Sequence, residues 1–276
     1  MRHSALIVVC LTSCIAPGGD DATRGVEQEV DTYNGTSLNG TSLNGTSLNG
    51  TSLTGTSISA SSASGPPLSG SGVVGSTWTG TASNGATVNL RIDSALQGTS
   101  PNTDLWFYGV SYQTSSGWSP LCGLDSTLAP IKAVPVAGVW DKTATYATSA
   151  TQFTWACRGK TIGKCVELGY KTYKGYADHM ATCVRLLRGD YCGNGSAYTV
   201  DGTLLNLYDN VGVQADAENW HPEGEWTPAG ARCININFSY RYDLTAGKDP
   251  SCAKKAKSTA CGTTFRNGAL LIDELP

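Results

Sequence analysis

The residues able to carry nucleophilic or acid–base chemistry gather late in this chain. Asp190 and Cys192 fall two apart in Gly189-Asp190-Tyr191-Cys192-Gly193, and beyond His3 the imidazoles are His179 and His221. A cysteine nucleophile requires a base within hydrogen-bond reach, so one reading is a hydrolytic centre in which His179 or His221 serves Cys192 or a carboxylate. The other is a disulfide at a helix-to-loop junction, with Asp190 accepting backbone N–H groups from the glycine-rich turn. Parity favours the second. Setting aside Cys10 and Cys14 near the amino terminus, the chain holds Cys122, Cys157, Cys165, Cys183, Cys192, Cys233, Cys252 and Cys261, and a free Cys192 would strand an odd number. Cross-bracing is therefore the expectation, and catalysis is not assumed.

Other chemistry is thinner. Carboxylates between Asp178 and Glu225 could include a glycosidase pair, but that mechanism is defined by a separation, and surface solvation is the ordinary role of Asp and Glu. No C-x-x-C pair occurs and two imidazoles remain after the signal, so no metal is expected. Gly70-Ser71-Gly72-Val73-Val74-Gly75 spells a dinucleotide motif, yet no strand is predicted before it and no helix after it, so no cofactor is expected either. Trp106, Tyr108, Val110 and Tyr112 fall on one strand face by period two, with Trp118 nearby. Such a face is a platform for sugar rings or a partner peptide, or else core.

These residues need elements to position them. Tyr176, Met180, Cys183, Val184 and Leu187 follow helical spacing, with Arg185 and Arg188 near the carboxyl end and Gly189 as a stop. Strands are predicted over 87–92, 104–112, 131–140, 145–155, 197–208 and 231–241. The result is an α+β, strand-rich, disulfide-stabilised domain over residues 86–276.

Arg188-Gly189-Asp190-Tyr191-Cys192-Gly193-Asn194-Gly195 is a recognisable signature. With Ala156-Cys157-Arg158-Gly159, Gly163-Lys164-Cys165-Val166, Gly169-Tyr170, Ala181-Thr182-Cys183-Val184-Arg185, Asp201-Gly202-Thr203 and Cys233, it resembles the ADYC domain family of exported bacterial proteins over about residues 86–245. Asp190, Tyr191, Cys192 and Gly193 match the family motif, while Gly189 departs from its leading alanine. The resemblance brings no activity with it. Arg188-Gly189-Asp190 also spells an adhesion tripeptide, read here as coincidence within the signature.

The amino terminus points to export. Arg2 and His3 precede an apolar run from Ala5 to Leu11, and Leu11-Thr12-Ser13-Cys14 resembles the lipobox of bacterial lipoproteins, which implies cleavage before Cys14 and lipid on it. Residues 1–13 then form the signal peptide and 14–30 a flexible tether. Over residues 31–85 a five-residue beat takes over, with Thr-Ser-Leu-Asn-Gly units and glycine at Gly35, Gly40, Gly45, Gly50 and Gly55. These units resemble pentapeptide-repeat proteins, which implies a short right-handed β-helix; the alternative is a flexible spacer.

A net charge of −3 and 19 Lys plus Arg give no basic footprint for nucleic acid. The expectation is an exported, lipid-anchored or secreted envelope protein, of the outer membrane if anchored. It would bind or scaffold envelope glycan or protein and touch the membrane only through its anchor.

Overall fold

A computed structural model describes residues 36–38, 41–47, 51–60, 68–82, 86–141, 145–199, 202–235, 241, 252, 256–258 and 260–276. The predicted signal peptide, Cys14 and the tether lie outside the described residues.

The first strands are β1 (Thr36–Leu38), β2 (Thr41–Ser47), β3 (Thr51–Thr54), β4 (Ser57–Ala60), β5 (Leu68–Ser69) and β6 (Thr77–Ala82). A meander follows: β7 (Thr87–Gln97), β8 (Trp106–Thr114), β9 (Gly117–Pro120), β10 (Ala133–Ala137), β11 (Val139–Trp140), β12 (Tyr146–Ala147) and β13 (Gln152–Cys157). Helices α1 (Thr161–Glu167) and α2 (Ala177–Arg188) come next, then β14 (Asn206–Asp209), β15 (His221–Thr227), β16 (Gly230–Asn235), β17 (Lys257–Ser258) and β18 (Leu271–Leu275).

Two sheets organise these elements. The larger runs β1-β2-β13-β10-β8-β7-β6, and a further β2–β6 pairing closes six of its strands into a ring, with β9 branching from β8. The smaller runs β14-β18-β15-β16-β17. Period-two alternation gives β8, β10 and β13 two buried faces. Tyr108, Val110, Ala133, Phe153 and Trp155 enter one core with Trp78, Leu90 and Ile92. Phe107, Val134, Val136 and Ala156 enter a second core with both helices and the smaller sheet. The helices thus form a middle layer between two sheets.

The chain is mostly sheet, not an even α+β mixture: two α-helices are present among the described residues. The stretch read as pentapeptide units pairs antiparallel where it is described, with Leu53 opposite Ile58 in β3–β4 and Leu38 opposite Thr41 in β1–β2. A β-helix would stack successive coils in parallel, and these pairings do not describe one. The sheet also runs across residue 85, because Trp78 pairs with Leu90 and Gly80 with Val88.

The predicted helix matches closely. Met180, Cys183, Val184 and Leu187 are buried, as is every residue of α2 from Met180 to Arg188, and Gly189 ends it with φ 60°, a left-handed conformation that glycine adopts without a Cβ clash.

The eight cysteines among the described residues all pair. Cys122–Cys157 joins the loop after β9 to the end of β13, and Cys165–Cys183 ties α1 to α2. Cys192–Cys252 holds the loop after α2, and Cys233–Cys261 links β16 to the carboxyl-terminal segment.

Candidate functional site

The signature residues sit where α2 runs out onto the smaller sheet. Asp190 is fully buried. Its carboxylate accepts from the Arg185 guanidinium, from Gly195 N at 2.8 Å and from Asn194 N at 3.1 Å, so it holds helix end and turn together. Gly193 lies with φ 63° against the Ala229 carbonyl, leaving no room for a Cβ. Cys192 Sγ is bonded to Cys252, which leaves no thiolate for a nucleophile. The signature is thus a structural junction.

Tyr191 extends that junction into a buried ionic centre. Its hydroxyl donates to Glu223 of β15. Arg241 donates to Glu223 through its backbone N and Nε, both at 2.8 Å, and through Nη2 to Asp273 of β18 at 2.8 Å. Arg241 Nη1 also reaches the Leu186 carbonyl at 2.6 Å, capping α2, and Trp226 Nε1 donates to Asp273 Oδ1 at 2.7 Å. Glu223, Arg241 and Asp273 are each 0% exposed.

Two carboxylates share one guanidinium, so one of them takes the protonated form. Burial and then the Glu223 charge push the Asp273 carboxyl well above the usual range. Burial would also raise Glu223, but Arg241 outweighs it and holds that carboxyl below its ordinary value. The pair resembles an acid–base dyad in composition. All three of its charged groups are wholly buried, however, so its chemistry is that of a cross-link between helix and sheet.

The remaining candidates are likewise occupied. His179 Nε2 lies 2.9 Å from Asn210 Oδ1 and its ring packs against Tyr170 and Tyr176. His221 opens β15 opposite Leu275. Asp209 accepts from the Tyr170 hydroxyl and from the backbone N–H groups of Val211, Val213 and Gln214. Arg188 and Asp190 are 6% and 0% exposed, so the adhesion tripeptide is not displayed. Glu225, Cys233 and Cys261 bring potential ligand atoms together, but the sulfurs are bonded to each other and the carboxylate accepts from Gly262 N and Arg266.

The aromatic face of β8, read as platform or core, is core. Tyr108 is 0% exposed, Val110 is buried, and Trp106 and Tyr112 pack against the same core. Trp118 alone of that group is exposed, at 36%, and it stands on the opposite face. There the register aligns a row across four strands: Thr79 of β6 pairs with Asn89 of β7, Leu90 with Tyr112, which places Asn89 beside Gln113 of β8, and Gln113 pairs with Trp118 of β9. Thr79, Asn89, Gln113 and Trp118 are all exposed. Asn89 Nδ2 donates to Gln113 Oε1 at 2.9 Å, and a groove of about 280 Å³ runs along the row, reaching Thr77.

One row over, Arg91 sits 4.7 Å above the Trp118 ring centroid and forms an ion pair with Asp93 at 2.5 Å. This holds the indole against the guanidinium, and the Arg91–Asp93 pair carries no net charge. Sequence reasoning missed Thr79, Asn89 and Gln113. The available signal was their period-two spacing with Thr77 and Arg91, polar at every position opposite the buried set.

A family model described as the ADYC domain matches residues 70–239, more than half of the chain. No curated protein and no solved structure matches.

Proposed function

The chain belongs to the ADYC domain family, and on that premise we propose that it is a non-catalytic binding module of the bacterial cell envelope, exported by residues 1–13 and anchored through lipid on Cys14. Four disulfides support an oxidising compartment outside the cytoplasm. No described helix is long and apolar enough to cross a membrane. The outer membrane is the proposed destination, with residues 14–30 holding the domain off the bilayer and the repeats of 31–85 leading into the larger sheet, which β2 and β6 join.

The ligand proposed is an uncharged stretch of envelope glycan, bound along the Thr79–Asn89–Gln113–Trp118 row. That row is the observation that carries the reading. Planar amides and hydroxyls offer paired donors and acceptors to sugar hydroxyls, and an exposed indole offers apolar surface to the ring C–H groups. The charges nearby, Arg91 and Asp93, neutralise each other, which suits a neutral ligand. The test is binding of soluble peptidoglycan fragments and neutral envelope polysaccharides by calorimetry, with Trp118→Ala and Asn89→Ala alongside. The expected result is saturable binding that each variant weakens about tenfold or more. Binding untouched by both variants would move the ligand elsewhere, and no binding to any glycan would end the glycan reading.

A further inference from the structure

At the centre of the exposed row on β6–β9, two primary amides meet with their roles already divided. Asn89 Nδ2 donates to Gln113 Oε1 at 2.9 Å. Gln113 thereby turns its carbonyl toward β7, and its Nε2 keeps two N–H donors. Asn89 gives one N–H toward β8, and its Oδ1 keeps its acceptor capacity. Both side chains are exposed, and no other hydrogen bond joins either of them to a described residue.

Beside the free donors stands an apolar surface. Gln113 pairs with Trp118 across β8–β9, and the exposed indole lines the same groove as Asn89 and Gln113. Neighbouring strands lie about 4.8 Å apart, so one small ligand group can meet Gln113 Nε2 and the Trp118 ring together. The groove holds about 280 Å³, at the small end of ligand pockets. None of its lining residues is charged, and Arg91 nearby is paired with Asp93.

A donor that cannot accept, placed next to an aromatic ring, calls for an acceptor with apolar surface at its side. A sugar hydroxyl meets that need weakly, because it gives and takes alike and adds no carbon to the ring. An acetamido group meets it fully, with a carbonyl oxygen that only accepts and a methyl on the same carbon. The hydroxyl next to it on the sugar ring is left to donate to Asn89 Oδ1. A carboxylate has the oxygen without the methyl, and no groove residue is a cation to offset its charge.

We infer that this groove is a subsite for a 2-acetamido sugar, the residue type that separates an N-acetylated glycan from a plain hexose polymer. The acetamido carbonyl accepts from Gln113 Nε2, the methyl and the adjoining ring C–H groups lie on Trp118, and the neighbouring hydroxyl donates to Asn89. This assignment rests on the glycan reading above and adds to it the group that is recognised. Gln113 is then the residue that sets specificity, while Trp118 and Asn89 contribute to the affinity for any neutral glycan.

The test compares two neutral tetrasaccharides with the same β-1,4 backbone, fully acetylated chitotetraose and cellotetraose, by calorimetry on the full chain. They differ in carrying an acetamido or a hydroxyl group at C2, and chitotetraose should bind about tenfold or more tightly. Gln113→Glu keeps the acceptor that Asn89 uses and replaces the free donors with an oxygen. It should weaken chitotetraose about tenfold and leave cellotetraose within about twofold, since a hydroxyl can turn to donate instead. At this exposed position it should also leave the thermal midpoint unchanged. Equal binding of the two tetrasaccharides, or a preference that Gln113→Glu preserves, would overturn the acetamido assignment. If Trp118→Ala still weakens cellotetraose in that case, the glycan reading survives it, whereas absence of binding to these and to every other neutral glycan would remove both. Competition by N-acetyl-alanyl-alanine amide as effective as chitotetraose would also overturn the assignment, because the acetamido group would then suffice without a sugar and the partner would be a peptide.

Discussion

The centre between α2 and the smaller sheet and the outer face of β6–β9 use polar residues in opposite ways. In the centre, Glu223, Arg241 and Asp273 are wholly buried and their hydrogen bonds end on one another, on Tyr191 and Trp226, and on the Leu186 carbonyl. On the outer face, Thr79, Asn89, Gln113 and Trp118 stand in solvent, and the contacts recorded for them are local: Asn89 with Gln113, and Arg91 over Trp118. Burial makes a charge expensive unless it is fully paired, so a closed set of partners marks a group that holds the fold. Exposed groups in register keep donors and acceptors available to something else. Unusual chemistry and available chemistry are different properties, and in this molecule they lie on different elements.

The strongest challenge to that contrast is removal of the buried cation. Arg241→Met leaves Glu223 ionised without its counter-ion, holding the Tyr191 hydroxyl and the backbone N–H of residue 241 but no cation, or forces a proton onto it, and should cost about 3–5 kcal/mol in chemical denaturation. A loss below about 1 kcal/mol would mean that the centre is wetter than its geometry implies.

Next in size is the strap over the signature. Cys192→Ser with Cys252→Ser opens a loop of sequence separation 60, worth about 4 kcal/mol on chain-entropy grounds, whereas opening Cys165–Cys183 at separation 18 should cost about 3 kcal/mol. Denaturation of the two paired variants ranks them, and the reverse order would show that packing strain and not loop length governs the straps.

The protonated carboxyl gives a pH signature. The folded form holds the Asp273 carboxyl protonated well above the usual range, so its contribution is complete below the unfolded carboxylate pKa of about 3.9 and is lost as pH rises from there toward the folded value. Asp273→Asn gives up one acceptor toward Trp226 or Arg241, a loss that does not vary with pH, and cannot ionise. Stability of this variant relative to wild type should therefore increase as pH rises from about 4 through neutral, followed by thermal denaturation across pH. A difference independent of pH would assign the shared proton elsewhere. Glu223 is held low, so its own contribution has the opposite sense and fades as pH falls.

Smallest in stability is the outer face. Trp118→Ala should change stability by about 0.5–1 kcal/mol, the loss of one exposed cation–π contact, while removing glycan binding. A larger loss in denaturation would move Trp118 from ligand face to framework.

The sequence disclosed elements wherever local pattern and tertiary environment agree. Helix α2 was legible because Met180, Cys183, Val184 and Leu187 repeat at helical spacing and glycine follows. Helix α1 was not, because Thr-Ile-Gly-Lys-Cys-Val-Glu is one short stretch with Gly163 inside it; Gly163 is needed there because a Cβ would meet the Cys157 carbonyl. Strand β15 was missed for a related reason. His-Pro-Glu-Gly-Glu-Trp-Thr reads as a polar loop, yet Glu223 and Glu225 are 0% exposed, paired with Arg241 and Arg266. Strand β8 was placed correctly, and of the two readings of its aromatic face the core one holds. Both faces of its first half are buried, and alternation alone does not say which side meets water.

What the sequence determined on its own was that sulfur serves as cross-bracing: the cysteines from Cys122 onward are eight, even in number, and all of them pair. Composition suffices for that, since thiols in an oxidising compartment pair or react. Only the tertiary structure decided which carboxylates are cross-links and which polar row is open, because both depend on partners brought from distant positions. Arg241 reaches Asp273 across 32 residues and Asn89 reaches Gln113 across 24. Burial, which sets the strength of every charge and hydrogen bond, is a property of the packed chain rather than of any segment of it.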